Sequence, residues 1–146
     1  MENPDSFYRL AKDFCQYVQE NEISCAAIDA LISALMKLYI SALELPDMQP
    51  DTGEAENTPE KISIKISRDL PTLYWEVFDP LVNETPVCVD LYDDLSDIVR
   101  DLKDGISAYE HGRIGDAVFN WRFGVMTHWG DHTVNAIRAL HRLRFG

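Results

Sequence analysis

Cysteine is scarce in this chain, and the three present do not pair by pattern. Cys15, Cys25 and Cys88 are odd in number and contain no CxxC. That excludes a disulfide framework and fits a reducing compartment. Each is expected to act as a small buried hydrophobe. Cys88 is the one placed to sit near a helix N-terminus, where a thiol pKa falls. Positive charge is also short: 13 Lys and Arg stand against 25 Asp and Glu, a net charge of -12. A surface that negative repels phosphate backbones and anionic lipids, so neither nucleic acid nor membrane is an expected partner. The longest apolar stretch, residues 28–45, is broken by Asp29, Ser33, Lys37, Ser41 and Glu44, which argues against a membrane span. Residues 1–8 are polar and mixed rather than a leader, and the expected location is the cytoplasm. No glycine-rich phosphate loop and no serine elbow is present.

What the chain does have is apolar material and helical periodicity. Its 146 residues are 46% hydrophobic, enough for one domain with one core. The acidity is uneven. Residues 1–100 carry 7 Lys and Arg against 20 Asp and Glu, whereas residues 101–146 carry 6 against 5. The closing run Arg138, His141, Arg142 and Arg144 suits the negative end of a helix dipole.

Phe7, Leu10, Phe14, Tyr17 and Val18 recur at spacings of three and four, predicting a helix near 4–21, capped by Asp5 or Ser6 and ending at Asn21. A second helix begins at Ser24 and carries Ile28, Leu31, Ile32, Leu35, Leu38, Tyr39 and Ala42 on one stripe. It stops before Pro46. Residues 46–60 hold three prolines, a glycine and five acids, the composition of a mobile loop. Ile62, Ile64 and Ile66 alternate as a strand does, but Ile62, Ile66, Leu70 and Leu73 also fit a helix. With no partner strand evident, helix is preferred over 61–68. The aromatic segment 74–80 reads as a short turn or helix ending at Pro80, its Tyr74, Trp75 and Phe78 filling the core or lining a pocket.

A third long helix is predicted from Thr85 and Pro86 to the break at His111 and Gly112. Leu91, Leu95, Ile98, Val99, Leu102, Ile106 and Tyr109 fall within roughly 100° on its wheel. The last helix runs from Gly115 to about Leu143. Its apolar face is Trp121, Val125, Trp129, Ala136, Ala139, Leu140 and Leu143. Gly124 and Gly130 weaken it and mark close packing or a kink. The fold class that follows is all-α: one domain spanning 1–146, a helical bundle of four long amphipathic helices plus short helical segments.

Two clusters carry the chemistry. Asp94, Asp97 and Asp101 lie one and two turns apart at the shoulder of the third helix, while Asp93 and Asp104 point to solvent. His128 and His132 are four apart, hence about 40° apart on one helical face, the spacing that places two imidazoles on one ion. If the two helices pack, Asp94, Asp97, Asp101, His128 and His132 form a site for a divalent transition metal. The plainer alternative makes these residues structural, with the aspartates pairing Arg122 and Arg138 and the histidines satisfied by carboxylates or carbonyls. No catalytic residue is assignable from the residues themselves.

Further segments share an order and spacing with a known group. They are Leu38-Tyr39 through Leu45-Pro46-Asp47, Tyr74-Trp75-Glu76-Val77-Phe78-Asp79-Pro80, Asp93-Asp94-Leu95 with Ile98 and Arg100-Asp101-Leu102, Trp121-Arg122-Phe123, His128-Trp129-Gly130, His132, and Ala139-Leu140-His141. The chain resembles the bacterial domain-of-unknown-function family 5063, departing from it at Val99, where an aromatic is expected. The resemblance implies a small helical protein and carries over no catalytic residue. Three functions remain in view: a non-catalytic helical module that binds a protein partner or forms a homo-oligomer, a metal-dependent hydrolase-type enzyme using the Asp/His site between the third and last long helices, and a small acidic immunity-type protein that neutralises a basic partner.

Overall fold

The structure is a computed structural model describing residues 1–52 and 61–146. Five α-helices make up most of the described residues. Helix α1, Pro4–Glu20, is capped by Asn3, whose side chain accepts from the Asp5 amide at 2.8 Å, ahead of the predicted caps Asp5 and Ser6. It ends at Asn21 as the sequence predicts. A 3-10 turn, Cys25–Ala27, leads into α2, Ile28–Leu43, which buries Ile28, Leu31, Leu35, Leu38 and Ala42. By length and composition residues Cys25–Leu43 are also apolar enough to cross a membrane, with 28% of the window buried. Here the buried side of that helix belongs to the core.

The protein is mostly helical as expected, but a small two-stranded sheet makes it not purely all-α. Strand β1, Leu73–Glu76, pairs antiparallel with β2, Val87–Asp90, in the register Leu73 with Asp90 through Glu76 with Val87. The aromatic segment is therefore extended, not helical. Alternation decides it: Tyr74 and Glu76 turn inward while Leu73 and Trp75 stand outward, the period-two pattern of a half-buried strand. Cys88 lies on β2 and is exposed, so it is at no helix N-terminus. Cys25 is exposed too, leaving Cys15 as the buried thiol.

The preference for helix over 61–68 is also overturned. Ile62 and Ile64 are buried while Ser63 and Lys65 are exposed, and Ile66 bridges Ile23 in parallel. The missing partner is the loop after α1. The Ile23 amide donates to the Lys65 carbonyl, and the Ser67 amide to the Ile23 carbonyl, both at 2.8 Å. A single residue supplies the pairing, too short a signal for any strand pattern.

Of the acidic loop, residues 53–60 lie outside the described residues. The preceding part is pinned rather than mobile. Asp51 accepts from the Gly115 and Asp116 amides at 2.8 and 3.3 Å, and Asp116 accepts from Thr52 through its amide and hydroxyl. Those bonds satisfy first-turn amides of the fourth helix, where a carboxylate also complements the dipole.

Helix α3, Leu91–Glu110, starts later than Thr85, because Asp90 is its cap and accepts from the Tyr92 amide at 2.9 Å. The Leu91 amide donates to the Thr72 carbonyl, fastening the helix start to the chain just before β1. Gly112, with φ of +79°, ends the helix. Helix α3 packs against α1 and against both halves of what was predicted as one long terminal helix. That element is two helices, α4 Ile114–Thr127 and α5 Trp129–Phe145, broken at His128, whose φ of -146° and ψ of -79° are not helical. The number of long helices is thus five, not four.

The break is set by packing. A Cβ on Gly130 would stand 1.8 Å from the Val125 carbonyl oxygen, and one on Gly124 would stand 2.7 Å from the Trp129 ring. Backbone and indole fill the space a side chain would need, so α5 folds back on α4. Trp121 and Trp129 are fully buried. The Trp121 indole donates to the Leu102 carbonyl at 3.1 Å, and the Trp129 indole to the Trp121 carbonyl at 3.2 Å, as buried indoles require.

Candidate metal centre

The break between α4 and α5 places the two histidines. His128 occupies the corner itself, and His132 lies one turn into α5. Opposite them, α3 presents Asp94, Asp97 and Asp101, whose spacings of three and four keep them on one side of the helix. All five residues singled out from the sequence meet here, but in two tiers.

The His128 Nδ1 atom lies 2.6 Å from Asp101 Oδ2, and His132 Nδ1 lies 2.8 Å from Asp94 Oδ1. Each carboxylate thereby accepts from one imidazole and leaves that ring's Nε2 as the available donor atom. His132 Nε2 is 3.3 Å from Asp97 Oδ2. One ligand atom each from Asp97, His128 and His132 lies within 4.8 Å of the others. The two rings stand edge to face with centroids 4.9 Å apart. Asp97 also accepts from Arg100 at 3.0 Å through its other oxygen.

The tiers differ in burial. The Asp94 side chain is 5% exposed, whereas those of Asp97 and His128 are 30% and 51% exposed. The inner end is dry and the outer end faces solvent. Asp131 is exposed, and Asp93 is exposed as expected, while Asp104 is only half-exposed.

Sequence reasoning missed two members. Tyr74 donates its hydroxyl to Asp94 Oδ2, and Glu76 lies on the same inward face of β1. Their signal was the alternation across 73–76, legible only with that segment read as a strand. Burial first, then the hydrogen bond to Asp94, raises the Tyr74 pKa, so the phenol stays a donor. Burial, then the charge of Asp94, raises the Glu76 carboxyl. The His132 pKa is raised chiefly by its hydrogen bond to Asp94, against the opposing effect of burial. Burial, then Asp90 and Asp97, raises Asp93. Asp94 thus stands between two donors, a phenol from the ribbon and an imidazole from α5. The predicted pairing of these aspartates with Arg122 or Arg138 gives way to Arg100 and the histidines.

Fold and site together define a mostly helical protein with a two-strand ribbon that closes over an Asp/His cluster at a helix corner. The chain belongs to the family described as a domain of unknown function, DUF5063, whose model matches residues 2–146. Among solved structures it is similar to protein BF1032 from Bacteroides fragilis, with a TM-score of 0.73 at 22% identity, covering 97% of this chain and 95% of that one. That likeness concerns the fold. No curated protein matches the sequence. Neither the family description nor the structural neighbour indicates a catalytic role.

Proposed function

We propose that this protein binds a divalent transition-metal ion through Asp97, His128 and His132. The observation that supports the reading is the pair of carboxylates behind the imidazoles. Asp101 and Asp94 each accept from one Nδ1, which fixes both tautomers and leaves both Nε2 atoms available, that of His132 3.3 Å from Asp97 Oδ2. Metal-ligating histidines are held in this way, and the carboxylate raises the basicity of the ligating nitrogen. Two imidazoles and one carboxylate suit zinc, iron, nickel or manganese better than calcium, which takes oxygen ligands in larger number. Three protein donors leave positions for water on the exposed side, the arrangement of reactive rather than closed structural sites. The hydrolase-type reading draws its support from that opening alone, since a bound ion would activate such a water.

Elemental mass spectrometry on protein purified without chelator or affinity tag tests the reading. Close to one equivalent of a transition metal is expected, lost in the double variant His128→Ala, His132→Ala with its helical circular dichroism retained. Metal-free wild-type protein that shows no thermal shift with zinc, manganese, nickel or iron would return the cluster to a structural role.

A further inference from the structure

The ribbon has two faces with opposite chemistry. Its inner face sends Tyr74 to the metal centre. Its outer face carries Leu73 and Trp75, 67% and 71% exposed, with Cys88 exposed directly opposite Trp75. The chain leaving β1 adds Phe78, Leu81 and Val82 at 77%, 93% and 55% exposure. Trp121 and Trp129 are fully buried, so Trp75 alone among the tryptophans faces solvent. Scattered exposed apolar residues are ordinary, but this many in ten consecutive positions are not.

We infer that this ribbon face is the self-association surface of the protein, covered by the same face of a second copy related by a two-fold axis. Size is the first argument. The outer face of β1 and the chain that leaves it, five apolar residues in all, expose on the order of 700 Å² together, close to the roughly 800 Å² that each partner contributes to a stable interface. A lone solvent-exposed patch seldom reaches that extent on a monomer.

Charge is the second argument, and it selects the occupant. The chain carries a net charge of -12, so two copies repel over most of their surface. Between residues 73 and 88, Asp79 is the single charged residue at an exposed position. Its carboxylate is turned back to accept from the Leu81 amide at 2.9 Å. Two copies can therefore approach here with little opposed charge. A basic protein finds few acids to read on this face. An anionic membrane finds no cation, because no Lys or Arg occurs from residue 69 to residue 99. An apolar face with a single exposed charge is nearly complementary to itself, which is what an isologous contact requires.

Sedimentation equilibrium across the micromolar range, in chelator so that the metal centre plays no part, tests the inference. Wild-type protein is expected to shift from a one-chain to a two-chain mass as concentration rises. Over the same range acrylamide should quench the Trp75 emission less, and Cys88 should alkylate more slowly. Trp75→Arg and Leu81→Asp, both at exposed positions that tolerate polar residues, should hold the one-chain mass with unchanged circular dichroism. A one-chain mass for wild type at every concentration overturns the inference. So does a two-chain mass that both variants retain. One-chain protein that binds neutral phosphatidylcholine vesicles through Trp75 also overturns it, in favour of a membrane surface.

Discussion

Asp101 Oδ2 lies 2.6 Å from His128 Nδ1, and this contact ties the middle of α3 to the corner where α4 gives way to α5. The pair is partly open, with the imidazole 51% and the carboxylate 24% exposed, so its contribution to stability is small. Its consequence is orientation: the carboxylate takes one ring nitrogen and leaves the second available, in a ring that stands edge to face with His132.

From this follows a separation of roles between Asp101 and Asp94. Asp101→Ala is expected to cost less than about 1 kcal/mol of stability, yet to weaken metal binding about 10- to 100-fold. Asp94→Ala is expected to weaken binding by a similar factor and to destabilise the fold by about 1–3 kcal/mol, because Tyr74 and His132 both lose their acceptor in a half-buried place. Urea unfolding of metal-free protein and titration with zinc measure the two effects apart. Unchanged zinc affinity in Asp101→Ala would show that the imidazole needs no carboxylate behind it.

The pH dependence has a definite sign. Asp94 and Asp97 from α3 and Glu76 from β1 surround His132 and raise its pKa above the ordinary 6.5, the hydrogen bond to Asp94 leading. The stability this gives is fully present below pH 6.5 and is lost as pH rises through the raised folded-state value. Glu76, raised above 4.5 by burial, has the same sign over a more acidic window. Metal binding runs oppositely, since a proton competes for the same imidazole. Chelator-treated wild type should therefore lose stability relative to His132→Asn on going from pH 6 to pH 8, while zinc affinity rises across that interval. A stability difference flat in pH would contradict the assignment.

How much of this was legible beforehand depended on the length of each periodic signal. The stripes of α1, α2 and α3 extend over four or more turns, and most residues the spacing names are buried, from Phe7 and Leu31 to Leu102, while Leu10, Tyr17, Ile32, Tyr39 and Tyr109 lie at the edge of the core. The site was legible for a related reason: Asp94, Asp97 and Asp101 share a helix side, and His128 and His132 are a turn apart. What was not legible depends on single contacts distant in sequence. The 61–67 segment is held by one residue, Ile23. Ribbon strands of four residues are too short to outweigh an aromatic pattern that also fits a turn. The break at His128 follows from a backbone approach that no periodicity encodes. Asp94 and Asp101 look equivalent to Asp97 on a wheel, and only the packed α5 shows that they stand behind the imidazoles.

Segment 61–67 offers a test of extended against helical geometry. Ile62 and Ile64 are 5% and 7% exposed, with Ser63 and Lys65 outward. Alanine at either isoleucine is expected to cost about 2–4 kcal/mol, and alanine at Ser63 or Lys65 less than about 0.5 kcal/mol. A helix would instead group the large effects at 62 and 66. Thermal unfolding of the four single variants distinguishes the two patterns.

The helix corner makes the last prediction, and here two opposing effects must be weighed. Within α5, Gly130→Ala should gain about 1 kcal/mol from helix propensity. Against this, the new methyl group would stand 1.8 Å from the Val125 carbonyl oxygen, a distance no side-chain rotation relieves. Overpacking of this kind costs about 1–3 kcal/mol, and more against rigid backbone, so the net sign is destabilising by about 2 kcal/mol or more. The relief available to the chain is to open the angle between α4 and α5, which carries His128 away from Asp101. Gly130→Ala should therefore lose zinc affinity as well as stability. Gly112→Ala is the control: its φ of +79° makes alanine unfavourable, but a Cβ there meets nothing within 4 Å. That variant should cost about 1–2 kcal/mol and leave zinc binding intact. Equal zinc affinity in the two variants would mean that the corner does not set the position of His128.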